Sequence, residues 1–408
     1  MLPYKKSVSI ADVQFDEIIS YSKDVERFTE IGKVNPIPSN SIIYKTVTGI
    51  GATHSEIVSK RHSIIVFPHI SIIISKHEYY KAQGIITQPI YGDIGRDDIA
   101  KYLDSDNEYA KILTTPKGVA KLIKLMELAQ GTYPEMQYQK LFFLLIDECH
   151  KLIQDADYRT DMLEVMEQFF DFENKAMVSA TPIPPSDPRF LTQKFKHIKV
   201  TPDFNYIQDI ELIHANALVN GLQEYLDKNE ANRHCFFFNS VEGIKSLISQ
   251  LNIKDDYQIF CSQDSHNILK IAKELKVNWK IGPLSKYNFF TSSFYNGLDI
   301  TEGKPNIVIL TDYGYRDHTL LDPYTDILQI IGRFRKKNNG EKGYSKIVHI
   351  NNSSHFTTPV SADEAILRVD QSASVYNHIE DLRESLANPE LFDLFNQALS
   401  TVKPYEKG

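Results

Sequence analysis

Two series of short apolar segments, separated by a proline-rich break, restrict the folds open to this chain more than any other feature. In the first series, runs rich in β-branched and aromatic residues alternate with helical stretches such as Lys117 to Gln130. That alternation is typical of parallel sheets wound by helices. The predicted strands are Ser41 to Val47, Ser63 to His69, Ile85 to Tyr91, Lys111 to Thr115, Leu141 to Ile146 and Ala176 to Ser179.

The break runs from Thr181 to Pro188. Its repeated prolines exclude a helix, because the proline ring fixes the backbone angle and removes the amide donor. The second series of predicted strands comprises Ile210 to His214, His234 to Asn239, Gln258 to Ser262, Tyr287 to Ser292, Asn306 to Thr311 and Lys346 to Ile350. The sequence therefore predicts an α/β protein with two lobes of similar construction.

The length of the chain agrees with this division. Single hydrophobic cores stop growing near roughly 250 to 300 residues, and this chain has 408. We therefore predict two domains, residues 1–203 and 204–352, followed by a helical extension over residues 353–408. Within the extension, Val375 to Leu386 and Glu390 to Ser400 are the predicted helices.

The composition is that of a soluble globular protein, with 42% hydrophobic and 24% charged residues. No apolar run approaches the roughly 20 residues that span a bilayer, and the N-terminal segment lacks the apolar stretch of a secretory signal. We therefore expect a cytoplasmic protein with no membrane partner. Cys149, Cys235 and Cys261 are too far apart for a disulfide framework or a zinc site with paired ligands, so they are predicted to be reduced core thiols.

The formal charge of -8 argues against a protein that covers nucleic acid with its whole surface. Positive charge is concentrated in short segments such as Lys194 to Lys199 and Arg333 to Lys337. Each segment fits either a local basic groove or an ordinary solvated face.

Two adjacent carboxylates follow a wholly apolar predicted strand. Asp147 and Glu148 come directly after Leu141 to Ile146, which places them at the carboxyl end of a buried parallel strand, where open α/β sheets bind ligands. In a nucleotide hydrolase, the first carboxylate holds Mg²⁺ and the second positions or deprotonates the attacking water. The pair therefore predicts a metal-nucleotide site.

The segments around this pair resemble, in their order along the chain, the motifs of superfamily 2 helicases, the DEAD/DEAH-box group. The tetrad Asp147-Glu148-Cys149-His150 looks like motif II, and Ser179-Ala180-Thr181-Pro182 looks like motif III. Ile65 to His69 resembles motif Ia, and Thr114 to Gly118 resembles motif Ib, which contacts nucleic-acid phosphates in that family. Cys149 and His150 fit packing roles equally well, although the position of His150 contacts motifs III and VI in the family.

The second half of the chain continues the resemblance. Phe236 to Ser240 is similar to motif IV, Thr291 to Ile300 is similar to motif V, and Gln329 to Lys336 is similar to motif VI, usually Q-x-x-G-R-x-x-R. The resemblance covers residues from about Ile42 to Lys337. It implies two tandem RecA-like domains with nucleotide between them and a single nucleic-acid strand across both lobes.

Motif VI supplies arginines that reach across the cleft to the γ-phosphate in the family. Such arginines neutralise charge on the transferring phosphoryl group only when the lobes close. Arg333 is in place, but the final arginine of the motif falls on Lys336, which lacks the planar fork of a guanidinium. Either Arg335 or Lys336 therefore remains a candidate for the second cation.

The phosphate loop departs from the family pattern. By order along the chain it is Thr48-Gly49-Ile50-Gly51-Ala52-Thr53, between a predicted strand and a helix. Its glycines allow backbone amides and the helix N-terminus to approach phosphate, and Thr53 remains a candidate Mg²⁺ ligand. Ala52, however, stands where the family has the lysine that contacts the β- and γ-phosphates. Lys45, Lys60 and Arg61 are the candidates to supply that charge from elsewhere, and a glycine turn that no longer binds nucleotide is nearly as compatible with the pattern.

The leading hypothesis is an ATP- and Mg²⁺-dependent helicase or translocase acting on DNA or RNA, in a replication or repair complex such as that of a virus or mobile element. The implied catalytic residues are Asp147, Glu148, Gln329, Arg333, Arg335 and Lys336. The implied nucleotide contacts are Thr48, Gly49, Ile50, Gly51, Ala52, Thr53, Gly297 and Asp299, with Thr53 and Asp147 on Mg²⁺. The implied residues that couple nucleotide to the strand are Thr115, Ser179, Thr181, Asn239 and Thr291.

Two alternatives remain open from the sequence. One is a helicase-derived protein that has lost efficient hydrolysis and keeps a nucleic-acid-binding or scaffold role, which Ala52 favours and the carboxylate pair and Arg333 oppose. The other is the motor subunit of a nuclease or restriction system, although no nuclease constellation is evident among these residues.

Overall fold

A computed structural model describes most of the first 353 residues of the chain. The described residues are 13–92, 96–103, 105, 107–130, 137–151, 161–182, 185, 187–230, 232–262, 265–266, 275–278, 281–295, 299–313, 316–323, 325–334 and 342–353, with single positions between 361 and 382. Residues 10–353 form one compact unit, which contains every site discussed below.

The first lobe is built on a sheet in which every described strand pair is parallel. Its eight strands lie side by side in the order β1-β8-β2-β7-β6-β3-β5-β4. Their bounds are β1 (Glu17–Tyr21), β2 (Ser41–Tyr44), β3 (Ser63–Val66), β4 (Gln88–Ile90), β5 (Lys111–Thr114), β6 (Phe143–Asp147), β7 (Asn174–Ser179) and β8 (Lys196–Pro202). Because β7 lies between β2 and β6, residues that follow β2 and β6 meet at one edge of the sheet.

The second lobe repeats this construction with seven strands, again parallel in every described pair, in the order β12-β11-β13-β10-β14-β15-β9. Their bounds are β9 (Glu211–His214), β10 (His234–Phe237), β11 (Tyr257–Phe260), β12 (Val277–Asn278), β13 (Tyr287–Phe290), β14 (Asn306–Thr311) and β15 (Ile347–Asn351). Strands β10 and β13 are neighbours, so the residues that follow them also lie at a common edge.

Helices cover both faces of each sheet. The described α-helices are α1 (Ala52–Ile57), α2 (Ile70–Ala82), α3 (Arg96–Leu103), α4 (Pro116–Gln130), α5 (Tyr138–Leu141), α6 (Asp161–Asp171), α7 (Pro188–Thr192), α8 (Leu218–Lys228), α9 (Val241–Gln250) and α10 (Asp326–Ile331). Successive residues of β2 show the two faces: Ile42 packs with α4 and α6, whereas Ile43 packs with α1 and α2. Because side chains alternate along a strand, β14, which is buried at every position, is covered on both sides.

The predicted α/β class with two parallel-sheet lobes is confirmed. All twelve predicted strands correspond to observed ones, but several end earlier than expected. The strand predicted to reach His69 ends at Val66, and Leu141 belongs to α5 rather than to β6. After Val66 the chain soon reaches Pro68, which has no amide donor for a strand ladder, and apolar patterning does not register that loss. The three cysteines are buried and unpaired, as predicted.

Strands β1 and β8 of the first sheet were not predicted from the sequence. The basic run Lys194 to Lys199, interpreted as a basic groove or a solvated face, instead contributes most of β8, which pairs with β1 on one side and β2 on the other. Its buried residues, Ile198 and Val200, alternate with more exposed positions. When the neighbouring strands are unknown, the polar residues of such a strand are easily interpreted as a solvated charge run.

The domain borders at residues 203 and 352 stay predictions. Described strands of the first sheet end by Pro202 and those of the second begin at Glu211. The predicted helical extension over residues 353–408 lies outside the described residues, apart from Ser353 and single positions. Among the described residues, no helix is both long and apolar enough to cross a membrane.

Candidate functional site

The two carboxylates lie where β6 leaves the first sheet. Asp147 is the last residue of β6, and Glu148 adopts a left-handed backbone conformation with φ of 53°. The Glu148 amide donates to Asp147 Oδ1 at 3.0 Å. A non-glycine residue with positive φ is uncommon and is concentrated at functional sites. Both side chains are almost fully buried, so each carboxylate requires partners.

Lys45 provides the cationic partner. Its ammonium nitrogen lies 3.3 Å from Glu148 Oε1 and 3.7 Å from Asp147 Oδ1, and its side chain is buried as deeply as theirs. The residue directly follows β2, and its backbone amide donates to the carbonyl of Ser179 at the end of β7. The sheet order therefore brings a lysine about one hundred residues away in sequence onto the carboxylate pair.

Glu148 Oε2 accepts two further hydrogen bonds, one from each lobe. Ser179 Oγ donates at 3.2 Å, and Gln329 Nε2 of the second lobe donates at 2.9 Å. Because the single hydroxyl proton of Ser179 goes to Glu148, His150 Nδ1 must donate to Ser179 Oγ, from which it lies 2.8 Å. His150 Nε2 is then an acceptor. It has no hydrogen-bond partner among the described residues, and neither has the buried hydroxyl of Thr181.

The charges of the cluster determine its protonation. Burial is the largest single effect on Glu148 and would raise its pKa, but the charge and hydrogen bond of Lys45, together with the charges of His150 and Arg333, outweigh burial, so the pKa lies well below its ordinary value. Burial would likewise lower the pKa of Lys45, yet the charges of Glu148 and Asp147 raise it. Burial lowers the pKa of His150 to about 4. At neutral pH the cluster therefore contains ionised Glu148, charged Lys45 and neutral His150.

The predicted phosphate loop connects β2 to α1 through two glycines with positive φ, Gly49 at 83° and Gly51 at 91°. Side chains rarely adopt these angles, so both positions require glycine. The Ile50 carbonyl accepts from the amide of Phe28 at 2.7 Å, which fixes the loop against the preceding segment. Ala52 is 1% exposed and packs in the apolar cluster beneath the loop. Thr53 donates from Oγ1 to Asp147 Oδ2, so the two predicted Mg²⁺ ligands are in direct contact.

These residues suit a magnesium-nucleotide complex. Mg²⁺ prefers oxygen ligands and is held in proteins by one or two carboxylates together with substrate phosphates. The hydroxyl of Thr53 and the carboxylate of Asp147 provide such a pair beside a glycine loop. Among the described residues, no group of three or more His, Cys, Asp or Glu side chains is arranged to hold a metal ion.

The second lobe reaches the carboxylates through α10 and the turn that follows it. Arg333 is 3% exposed. Its guanidinium donates to the carbonyl of Gln329 at 2.8 Å and to the side-chain oxygen of the same residue at 3.2 Å. Gln329 therefore joins Arg333 to Glu148. Two ion pairs also connect the lobes, Lys151 with Asp326 at 3.6 Å and Lys76 with Asp299 at 3.8 Å.

Gly332 lies close against Thr48 of the phosphate loop. A Cβ atom at this position would lie 1.6 Å from Oγ1 and 2.4 Å from Cβ of Thr48. Thr48 Oγ1 in turn points to the Leu328 carbonyl, at 3.4 Å. Rotation of the Thr48 side chain cannot remove a clash with its own Cβ, so a side chain at position 332 requires the backbone of the phosphate loop or of the turn after α10 to shift.

The hypothesis of an ATP-driven helicase or translocase predicts that Gly332→Ala reduces nucleic-acid-stimulated ATP turnover on the order of a hundredfold, because misplacing catalytic groups by about 1 Å costs that much. Gly282→Ala is the matched control, since its Cβ would meet nothing within 4 Å. Steady-state ATPase assays and thermal melting of both variants test this expectation. Normal turnover of Gly332→Ala would show that the contact between Thr48 and Gly332 is not needed for catalysis.

The residues predicted to couple the nucleotide to the nucleic-acid strand lie in three places. Thr115 precedes α4, and its hydroxyl accepts from the Gly118 amide at 3.2 Å, which caps that helix. Asn239 follows β10, accepts from the Ser292 amide at 3.2 Å and donates to the His318 carbonyl at 3.0 Å. The Thr291 hydroxyl donates to the Phe260 carbonyl at 3.3 Å. Asn239 and Thr291 thus lie together at the carboxyl edge of the second sheet, whereas Ser179 belongs to the carboxylate cluster.

Some predicted site residues have no described position. Arg335, Lys336 and Gly297 lie outside the described residues. The sequence left Lys45 as one of three candidate cations and gave no signal for the pairs that Lys76, Lys151 and Asp326 form between the lobes. A lysine shortly before a phosphate loop that lacks its own lysine was the available signal, but only the sheet order distinguishes it from Lys60 and Arg61.

Comparisons with known proteins agree with the architecture. No protein-family model matches the chain, and no curated protein sequence matches it. Among solved structures, a variant of S. cerevisiae Dbp5 bound to a Gle1 variant and IP6 is similar over 85% of this chain and 92% of that chain, with a TM-score of 0.51 and 14% identity. S. cerevisiae Dbp5 bound to RNA and ADP BeF3 aligns over 90% and 89%, with a TM-score of 0.48 and 17% identity.

The helicase domain of Pyrococcus furiosus Hef aligns over 84% of this chain and 98% of that chain, with a TM-score of 0.44 and 11% identity. At such identities a similarity concerns the fold alone. Together with the two helix-flanked parallel sheets, the similarity to the Dbp5 variant shows that this chain has the fold of two tandem RecA-like domains.

Proposed function

We propose that this protein is an ATP- and Mg²⁺-dependent helicase or translocase that moves on a single strand of DNA or RNA. The observation that carries the proposal is the hydrogen bond between Gln329 and Glu148. It joins the carboxylate best placed to act on the attacking water to the helix that precedes Arg333. A change in the relative position of the lobes therefore alters the surroundings of the hydrolytic carboxylate directly, which is what a motor requires.

The residues of the first lobe divide into metal ligands and phosphate contacts. Thr53 and Asp147 would hold Mg²⁺, and the amides of Thr48 to Thr53 would bind phosphate oxygens. When bound, Mg²⁺ neutralises charge on the β- and γ-phosphates and orients them for in-line attack. Glu148 is ionised and held by Lys45, Ser179 and Gln329. A carboxylate fixed in this way orients the attacking water and accepts its proton.

Arg333 supplies positive charge from the second lobe. Its guanidinium is held on Gln329, next to Glu148, and Arg335 or Lys336 would add a second cation. Because the phosphoryl charge is neutralised only when these groups approach, hydrolysis would depend on closure of the lobes. Asp299, paired with Lys76 across the cleft, and Gly297 would contribute from motif V.

The nucleic-acid strand would lie across the carboxyl edges of both sheets. Thr115 in the first lobe and Asn239 and Thr291 in the second are hydroxyl and amide side chains of the kind that contact sugar and phosphate. Ser179 and Thr181 would relay the state of the nucleotide, because Ser179 binds Glu148 and accepts from the Thr181 amide at 3.1 Å. A replication or repair complex is the proposed setting.

ATP turnover of the full chain, measured with and without single-stranded RNA and single-stranded DNA, tests the proposal. We expect Mg²⁺-dependent hydrolysis that at least one of these strands stimulates. The absence of stimulated turnover with either strand would contradict the proposal. The salt dependence of strand binding provides a second measurement, because each phosphate contact steepens the fall of the logarithm of affinity with the logarithm of salt concentration.

Ala52 favours a second candidate function, a hydrolysis-impaired protein that binds nucleic acid or serves as a scaffold. Its methyl group is buried in the apolar cluster beneath the loop, so no cation extends from this position of the loop. This candidate predicts strand binding without ATP turnover, and a nucleic-acid affinity that ATP does not change. The proposed motor predicts that ATP and ADP change that affinity to different extents.

A further inference from the structure

A phosphate loop that binds ATP requires a cation near the β- and γ-phosphates, and this loop has Ala52 where a lysine is expected. We propose that Lys45 supplies that cation from the end of strand β2, outside the loop, and that it contacts the terminal phosphates of a bound nucleoside triphosphate. The proposal rests on the proposed function, because it assumes that the site binds a nucleoside triphosphate.

Sheet topology excludes the other two candidate cations. Arg61 donates to Glu56 Oε1 at 2.9 Å and to the Ile37 carbonyl at 3.0 Å, and its guanidinium lies over the ring of Phe143, 3.4 Å from the centroid. Phe143 is the first residue of β6 and Asp147 is the last. Four residue steps along the strand separate them, or about 13 Å. Arg61 therefore lies at the amino end of β6, opposite the end that carries the carboxylates. Lys60, which is exposed, directly precedes Arg61 in the sequence and so starts from the same end.

Lys45, in contrast, is held at the edge where the phosphates would bind. Its amide bonds to the carbonyl of Ser179 at 2.9 Å. Directly after it the chain turns sharply, since the Val47 amide donates to the Lys45 carbonyl and Thr46 has a φ of 49°. For a β-branched residue such a positive φ is a genuine outlier. The turn fixes the backbone of Lys45 three residues before the glycine loop begins at Thr48, with its ammonium against both carboxylates.

The burial of Lys45 also needs an explanation. Removing an ammonium from water is strongly unfavourable unless its partners compensate, and two carboxylates lie within 4 Å of this one. The trio of Lys45, Asp147 and Glu148 carries a net negative charge, which would repel a polyphosphate. With Mg²⁺ on Asp147, Lys45 retains only one anionic partner. Its flexible stem and three donors then allow the ammonium to turn toward a phosphoryl oxygen.

A purely structural role for Lys45, as a permanent counter-ion of the carboxylates, makes a different prediction. A structural lysine affects folding and every ligand of the cleft alike. A phosphate-binding lysine affects only ligands with β- and γ-phosphates. AMP, ADP and ATP separate these roles, because they share the base, sugar and α-phosphate.

The experiment measures equilibrium affinities of the full chain for ATP, ADP and AMP in Mg²⁺ at constant ionic strength, by competition with a fluorescent nucleotide. A hydrogen bond to a charged group corresponds to about a tenfold to hundredfold change in affinity. We expect Lys45→Met to weaken ATP binding by about that factor while AMP affinity stays the same. Lys60→Met is the matched control, since it removes an exposed lysine of the same lobe.

A second pair of variants keeps the test decisive if Lys45→Met does not fold. Glu148→Gln is compared with the double variant Lys45→Gln, Glu148→Gln, in which the closest charge pair becomes a neutral amide pair. We expect the double variant to bind ATP more weakly than Glu148→Gln. Equal ATP affinity within either pair, or an equal loss of AMP and ATP binding, overturns the role of Lys45. If the wild-type chain itself binds no ATP, the proposed function fails instead.

Discussion

Replacing Glu148 with glutamine is expected to abolish nucleic-acid-stimulated ATP hydrolysis while the protein still binds ATP and the strand. The substitution preserves the size of the side chain but removes its charge and its ability to accept a proton. General acid-base catalysis contributes roughly a hundredfold to ten-thousandfold in rate, so we expect turnover to fall by about that factor. Steady-state ATPase assays, together with separate binding assays for ATP and for single strands, measure the effect.

The surroundings of Glu148 explain why the loss should be large. Its oxygens accept from Lys45, Ser179 and Gln329, all of which are donors. A glutamine side chain has one acceptor oxygen and one donor NH₂ group in place of two acceptor oxygens. Its NH₂ group would therefore face at least one of these donors, and that hydrogen bond would be lost. Glu173→Gln is the matched control, because Glu173 is an exposed carboxylate of the same lobe. Equal turnover of Glu148→Gln and wild type would mean that Glu148 does not act on the attacking water.

Replacing Arg333 with alanine is expected to reduce stimulated turnover by about a thousandfold or more, the range associated with arginines that neutralise a transferring phosphoryl group. Two effects combine in this variant. The phosphoryl group loses a cation, and Gln329 loses the guanidinium that holds its carbonyl and its side-chain oxygen. Arg333→Lys retains the charge without the planar fork, so it should recover only part of the rate.

The kinetic constants distinguish the role of Arg333 from that of Lys45. Loss of an interaction formed only on lobe closure lowers kcat, whereas loss of a contact present in the ground state raises KM. We therefore expect the Arg333 variants to differ from wild type mainly in kcat. Arg233→Ala is the control, because Arg233 is a partly exposed arginine of the same lobe in a loose pair with Glu302. A normal kcat for Arg333→Ala would contradict a catalytic role.

Much of the first and second sheets was predictable, because buried parallel strands carry continuous apolar runs that local patterning detects. The strand of Asn306–Thr311 is buried at every position and was predicted with its observed bounds. Strand β8 was missed because His197, Lys199 and Thr201 give it a polar face. Strand β1, Glu17–Tyr21, was missed for a related reason, since it is a short edge strand whose burial alternates.

The site, like the sheets, has features that local sequence patterning detects and others that it does not. The positions of Asp147 and Glu148 at a strand end followed from the apolar run before them, and the order of the motifs indicated which segments share a cleft. Patterning could not reveal that Gln329 donates to Glu148 or that Thr48 meets Gly332, because each contact joins residues far apart in sequence. The second cations of motif VI, Arg335 and Lys336, lie outside the described residues and stay predictions.

The sequence by itself determined the two α/β lobes, the acidic pair at a strand end and the absence of a lysine from the phosphate loop. Only the tertiary structure decided which cation faces the carboxylates. In a parallel sheet, strand order rather than sequence distance sets which strand ends are neighbours, and here β7 places the end of β2 close to the end of β6. Lys45 therefore reaches Asp147 and Glu148, while Arg61 lies at the far end of the same strand that carries them.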